Sequence, residues 1–314
     1  MKRSRATRRW KGWGMDVYLP RTLEEALEVK AAHPDALPIA GGTDVMVEIN
    51  FDRRRPASIL DLTRAAELQT WRHDDGTITL GAGVSYTRIV RELTMCRPLV
   101  EASRTVGSPQ IRSRGTVGGN LGTASPAGDA LPVLAAYDAD VILAKAGGVV
   151  RSLPWHRFHV GPKKTALAPD ELIVGTRWKV VRGPGSFSKV GTRNAMVIAI
   201  ASLCLVVDEA TQTVRVALGS VGPTILRAPE AEQFATRSWR EAGVWADPRA
   251  PIADGVIDEF GERVAAAARP IDDVRGTAAY RRHACAVLAR RALRWAMDDR
   301  KLTGPGTPRG AGAR

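Results

Sequence analysis

The chain of 314 residues has only three cysteines, Cys96, Cys204 and Cys285, far apart and without a C-x-x-C pair. That excludes a disulfide framework and argues against a four-cysteine zinc or iron–sulfur site built by this chain alone. Histidine is equally sparse. The five (His33, His73, His156, His159 and His283) form no H-E-x-x-H motif, and the close pair His156 and His159 has no evident third ligand, so no metal site is expected. Aromatic residues are 5% of the chain. No apolar run approaches the ~20 residues of a membrane-spanning helix. The longest, from Ala195 to Val207, is rich in β-branched residues and reads as a buried strand. The basic N-terminal segment is followed by no apolar stretch of a secretory signal, and a reducing cytoplasm, with the inner membrane surface as a further site, is the expected location.

Acidic residues are missing from both ends. Lys2, Arg3, Arg5, Arg8, Arg9 and Lys11 stand in residues 1–14 with no acid, and Lys301, Arg309 and Arg314 stand in the tail with none either. Most of the net charge of +13 therefore sits at the termini, which reads as solvated basic ends rather than as a nucleic-acid surface. Residues 1–14 and 301–314 are expected to be disordered.

Between the ends, apolar periodicity places a helix from Thr22 to Ala32, opened by Thr22 and Glu25 as a capping box. Strands are read at Leu37–Ala40, Ala57–Leu62 and Thr77–Ala82, and helices from Ser85 to Cys96 and from Leu99 to Val106. The Gly-, Ser- and Thr-rich stretch from Gly107 to Gly128 has little periodicity and is read as a long functional loop. A short helix (Ala130–Tyr137), a hairpin around Gly147-Gly148 and a strand from Leu172 to Val180 follow. Gly183-Pro184-Gly185 marks a domain boundary. Beyond it, strands at Phe187–Val190, Ala195–Val207 and Thr213–Leu218 suggest an antiparallel meander, and the last third is helical.

Two glycine turns carry the chemistry. In Ile39-Ala40-Gly41-Gly42-Thr43-Asp44 a strand runs into two glycines, a hydroxyl and a carboxylate. Glycine lets backbone approach a ligand closely, and successive N–H groups form a concave anion site. The turn is neither a Walker loop nor a G-x-G-x-x-G fingerprint. The second motif, Gly115-Thr116-Val117-Gly118-Gly119-Asn120 and on to Asp129, adds another glycine turn, several hydroxyls, an amide and an acid. Together they offer what a cofactor with a diphosphate and sugar hydroxyls requires. Asp129 also stands where it can cap the helix that follows.

AGGTD at Ala40–Asp44 and GSPQIRSRGTVGGNLGTASPAGD at Gly107–Asp129 closely resemble the two FAD-binding segments of the flavoprotein subunits of molybdenum hydroxylases, the xanthine dehydrogenase and carbon monoxide dehydrogenase family. TALAPDELI at Thr165–Ile173, FSKVGTR at Phe187–Arg193 and IDDVRGTAAYRR at Ile271–Arg282 extend the resemblance in order. It implies an α+β chain: a vanillyl-alcohol-oxidase (PCMH)-type FAD-binding domain of two α/β subdomains over residues 15–182, then a C-terminal α/β domain with antiparallel sheet and helices over 183–300. It implies that Ile39, Ala40, Gly41, Gly42, Thr43, Asp44 and Val45 wrap the FAD diphosphate, that Ile111, Thr116, Gly119, Asn120, Thr123 and Asp129 supply the second loop, that Leu172 and Ile173 pack near the cofactor, and that Lys189 approaches the flavin. No contact is assigned to Arg112 or Arg114. The implied activity is that of an oxidoreductase subunit, taking electrons from [2Fe-2S] clusters on a small partner subunit, reduced in turn by the molybdenum cofactor of a large one, and passing them to NAD+, quinone or another acceptor. The implied assembly is a dimer of heterotrimers. Two rival readings are a stand-alone FAD oxidoreductase of this fold and a non-enzymatic basic nucleic-acid-binding or scaffold protein.

Overall fold

The computed structural model describes residues 8–12 and 15–303, which form three main sheets with helices packed between and over them. The first sheet runs in the order Arg8–Gly12, Met15–Leu19, Ser58–Asp61, Leu37–Ile39. Its last three strands are parallel. A helix, Leu23–Ala32, links the first of these to Leu37–Ile39. The Thr22 hydroxyl accepts from the Glu25 amide at 3.1 Å, and the Glu25 carboxylate accepts from the Arg21 amide at 2.7 Å, so the capping residues read from sequence do start the helix. Tyr18, Ala26, Leu27, Val29 and Leu60 form its core, closed from the far side by Ala144 and Leu172 of the second sheet.

The second sheet is wholly antiparallel, in the order Trp71–Asp74, Thr77–Gly81, Leu172–Lys179, Asp140–Lys145, Val149–Pro154. Its core is covered by the helices Tyr86–Glu92, Arg97–Thr105 and Ala130–Ala136. All seven residues of the last are buried, which is why its sequence is apolar on every face. The chain leaves this sheet after Lys179 and enters the third at Gly185.

The third sheet is an antiparallel meander of Gly185–Val190, Ala201–Asp208, Thr213–Gly219 and Leu226–Arg227. All eight residues of Ala201–Asp208 are buried. Leu203, Leu205 and Val207 face the helices Pro229–Glu241, Asp254–Ala267 and Ala278–Thr303, whereas Cys204 and Val206 join the core of the second sheet. A strand covered on both faces needs a continuous apolar run rather than an alternating one.

Four sequence expectations are corrected. Residues 107–128 are not one irregular loop: they hold two short helices, Pro109–Arg114 and Val117–Thr123, each started by a hydroxyl cap, Ser108 on the Ile111 amide and Thr116 on the Gly119 amide. Glycine in Val117–Thr123 and polar residues in Pro109–Arg114 hid those caps. The strand read from Ala195 begins only at Ala201, because residues 195–200 make an irregular crossing in which Met196 has a left-handed φ of 50°. Arg8–Gly12, expected to be disordered, pairs antiparallel with Met15–Leu19 and occupies an otherwise open sheet edge. The last helix continues three residues into the expected tail, to Thr303. The remainder of the expected disordered ends lies outside the described residues.

Candidate cofactor cleft

The two glycine turns meet. The strand Leu37–Ile39 hands the chain to Gly41 and Gly42, where φ reaches 75° at Gly42, and the short helix Val45–Asn50 follows. A Cβ on Gly41 would lie 1.9 Å from the carbonyl oxygen of Arg114, so the backbone of the first turn rests directly on the start of the second. The second turn is likewise pressed on Ala82, where a Cβ on Gly118 would come within 2.5 Å of the Ala82 carbonyl oxygen. The Gly118 amide donates to that carbonyl at 3.1 Å and the Tyr86 amide to the carbonyl of Gly115 at 3.1 Å. These contacts require glycine for proximity rather than for turn geometry. Across the gap the Thr123 hydroxyl donates to the Asp44 carboxylate at 3.0 Å, and nearer solvent Lys163 meets Glu48 at 2.9 Å.

Between the turns lies a cleft of about 630 Å³, near the middle of the range for small-molecule and cofactor sites. Its wall contains Ile39, Ala40, Gly41, Gly42, Thr43, Asp44 and Val45 from the first turn, Ile111, Thr116, Gly119, Asn120, Thr123 and Asp129 from the second, and Leu172 and Ile173 from the central strand of the second sheet. The fold therefore brings together every cofactor residue expected from the sequence except one.

The exception is Lys189. It is 9% exposed and is not part of the cleft wall. Its ammonium donates to Asp129 Oδ2 at 2.6 Å, to the Thr105 carbonyl at 3.0 Å and to the Val197 carbonyl at 3.0 Å, which uses all three of its protons. Lys189 thus stands behind Asp129 and reaches the cleft through that carboxylate. Asp129 does not cap the following helix; it is spent on Lys189 and on the Thr105 hydroxyl at 3.1 Å. Burial raises its pKa above the usual carboxylate range, and the Lys189 charge opposes that rise.

Buried polar atoms left without a partner among the described residues test what the cleft accommodates. Asn120 Oδ1 and Asp129 Oδ1 are both in this state, and both residues line the wall. Each is an acceptor, so the missing partner is a donor such as a sugar hydroxyl or a ring N–H. The apolar part of the wall, Ile39, Leu172 and Ile173, suits a flat ring. Acceptors, glycine-turn backbone and apolar wall together fit FAD. Sequence reasoning missed Tyr86, Gly118, Glu48, Lys163 and the 196–198 crossing. Only the turn residue Gly118 carried a local signal; the others are brought in by tertiary packing. Arg112 donates to the carbonyls of Val106 at 3.3 Å and Gly107 at 2.9 Å, closing the end of the helix Arg97–Thr105.

Fold and cleft define the class: a two-sheet α+β unit that grips an elongated polar cofactor between paired glycine turns, with a third sheet-and-helix layer attached. Comparison with known proteins makes this specific. Residues 13–177 match the FAD binding domain in molybdopterin dehydrogenase, and residues 249–296 match the CO dehydrogenase flavoprotein C-terminal domain. The nicotinate dehydrogenase FAD-subunit of Eubacterium barkeri is 32% identical over 236 residues, covering 70% of this chain and 78% of that protein. The xanthine dehydrogenase FAD-binding subunit of Escherichia coli O157:H7 is 28% identical over 283 residues, covering 87% and 92%. Among solved structures, the reconstituted CO dehydrogenase from Oligotropha carboxidovorans superposes with a TM-score of 0.80 at 23% identity over 92% of this chain and 99% of that one, a likeness of fold. The chain belongs to the family of FAD-binding subunits of molybdenum hydroxylases, oxidoreductases of the xanthine dehydrogenase and carbon monoxide dehydrogenase type.

Proposed function

We propose that this chain links a molybdenum hydroxylase to its electron acceptor. It takes electrons from [2Fe-2S] clusters on a small partner subunit, which are reduced from a molybdenum-cofactor subunit, and delivers them to NAD+ or a quinone. Bound FAD supplies a centre that exchanges electrons singly or in pairs. The work of the protein is to hold and bias that centre. The Gly41–Asp44 turn presents backbone N–H groups to the diphosphate, and the Gly115–Asn120 turn, whose glycine amides donate within the fold, forms the facing wall. Asn120 and Asp129 accept from its hydroxyl or ring donors. Lys189 fixes Asp129 and balances its charge, so the carboxylate can accept from the cofactor without adding net negative charge to the cleft.

The observation that carries this reading is the convergence of both glycine turns, with two orphaned acceptors, on one cleft. We assign residues 15–182 to the FAD-binding domain and 183–300 to the C-terminal domain, with an assembly of two heterotrimers. The three cysteines are buried and free, which suits clusters held on another polypeptide and a reducing cytoplasm. No helix among the described residues is long and apolar enough to cross a membrane. Purification of the native assembly tests the proposal. Three co-purifying subunits are expected, with FAD on this one, and loss of acceptor reduction when FAD is stripped. Acceptor reduction that persists after complete removal of FAD refutes it.

A further inference from the structure

Tyr86 is the first residue of the helix Tyr86–Glu92, held there by the Ser85 cap. Its side chain is 3% exposed, and its hydroxyl has no hydrogen-bond partner among the described residues. A buried hydroxyl without a partner is costly, so its retention needs a reason. The ring lies under the second glycine turn, where a Cβ on Gly115 would meet it at 3.3 Å. The Tyr86 amide is fixed to the carbonyl of Gly115 at 3.1 Å. Tyr86 lines the cleft, and its phenol feels the carboxylates of both Asp44 and Asp129, which line the cleft as well. The side chain thus packs in the cleft wall with its hydroxyl unpaired. Burial raises its pKa well above the ordinary phenol value, so it carries its proton throughout the working range and can donate.

We infer that Tyr86 is a cofactor-positioning residue whose hydroxyl donates to an oxygen of the diphosphate–ribityl chain of FAD. The nearby carboxylates Asp44 and Asp129 serve donors of the cofactor, and Tyr86 supplies a donor of its own to an anionic or hydroxyl oxygen. The inference rests on the FAD reading of the cleft and adds a contact that neither glycine turn contains.

Tyr86→Phe in the full chain tests it, because the ring and its packing stay and one hydroxyl goes. The inference predicts opposite signs in two states. Without FAD, the variant melts at or above the wild-type temperature, since an unpaired buried hydroxyl has been removed. With FAD, it binds about tenfold more weakly, the cost of one lost hydrogen bond. Equal FAD affinity in variant and wild type overturns the inference and leaves the FAD reading intact. A variant that melts lower than wild type without FAD while binding it equally well shows a purely structural role for the hydroxyl and also overturns it. A wild-type chain that fails to bind FAD at all overturns the reading itself.

Discussion

Replacement of Gly41 by alanine adds one methyl group at the place where the two halves of the cleft touch. That methyl carbon would stand 1.9 Å from the carbonyl oxygen of Arg114 and 2.5 Å from its carbonyl carbon. Ordinary contact begins at 3.4 Å, so the two backbones must separate by about 1.5 Å. Both sides are main chain, so no side-chain rotation relieves the clash. The backbone angle at Gly41 is not the difficulty, since only Gly42 of the pair has a left-handed φ; the cost is contact alone. Overpacking of this kind costs about 1–3 kcal/mol. Moving one turn relative to the other also strains the Thr123–Asp44 hydrogen bond across the gap. If the cost falls on the bound geometry, FAD affinity drops by about 10- to 100-fold. The assay is a titration of the deflavinated full-length variant with FAD, followed by flavin fluorescence and set against wild type. A dissociation constant within about threefold of wild type, well short of a full 1.4 kcal/mol, would refute the claim that contact between the turns shapes the site.

Removing Lys189 as Lys189→Met leaves Asp129 buried and uncompensated, with an expected loss of about 3–5 kcal/mol. Because the folded-state pKa of Asp129 is already raised, its protonated form folds at lower cost. The deficit of the variant should be full at about pH 8 and shrink towards about pH 4 as the carboxylate takes up its proton; denaturant melts across that range that show a constant gap contradict the pairing. Glu92 accepts from Trp71 Nε1 at 2.8 Å and from Arg88 at 2.8 Å, and its pKa is lowered to about 2. Its stabilisation is complete above the unfolded carboxylate pKa of about 4.3 and is lost as pH falls towards about 2, so Glu92→Gln should flatten the acid limb of the stability curve. The Cys96 and Cys285 thiols are buried and pushed up to about 12; no cysteine should react with a disulfide reagent at about pH 8 until the chain unfolds, and rapid native labelling would place one at the surface.

Much of this architecture was legible because local signals agreed with the global fold. Thr22 and Ser85 are hydroxyl caps ahead of apolar periodicity, and both start helices. Glycine turns after strands are visible in any sequence, and here they line the cleft. The failures have physical causes. Thr116 and Ser108 cap helices so rich in glycine and polar residues that no apolar stripe betrays them. Residues 195–200 are apolar because Val197 and its neighbours border the cleft, not because they form a strand. The pairing of Lys189 with the Asp129 carboxylate, 60 positions earlier in the chain, is a tertiary contact that no local pattern shows. Tyr86 looks like an ordinary first-turn residue, and only tertiary packing under Gly115 brings it into the cleft wall.

The most direct test is the visible spectrum and cofactor content of the full chain isolated without harsh treatment. A yellow protein with about one FAD per polypeptide is expected, or a colourless one that takes up FAD to that ratio at micromolar concentration. A folded chain that stays colourless under saturating FAD would contradict the FAD reading of the cleft.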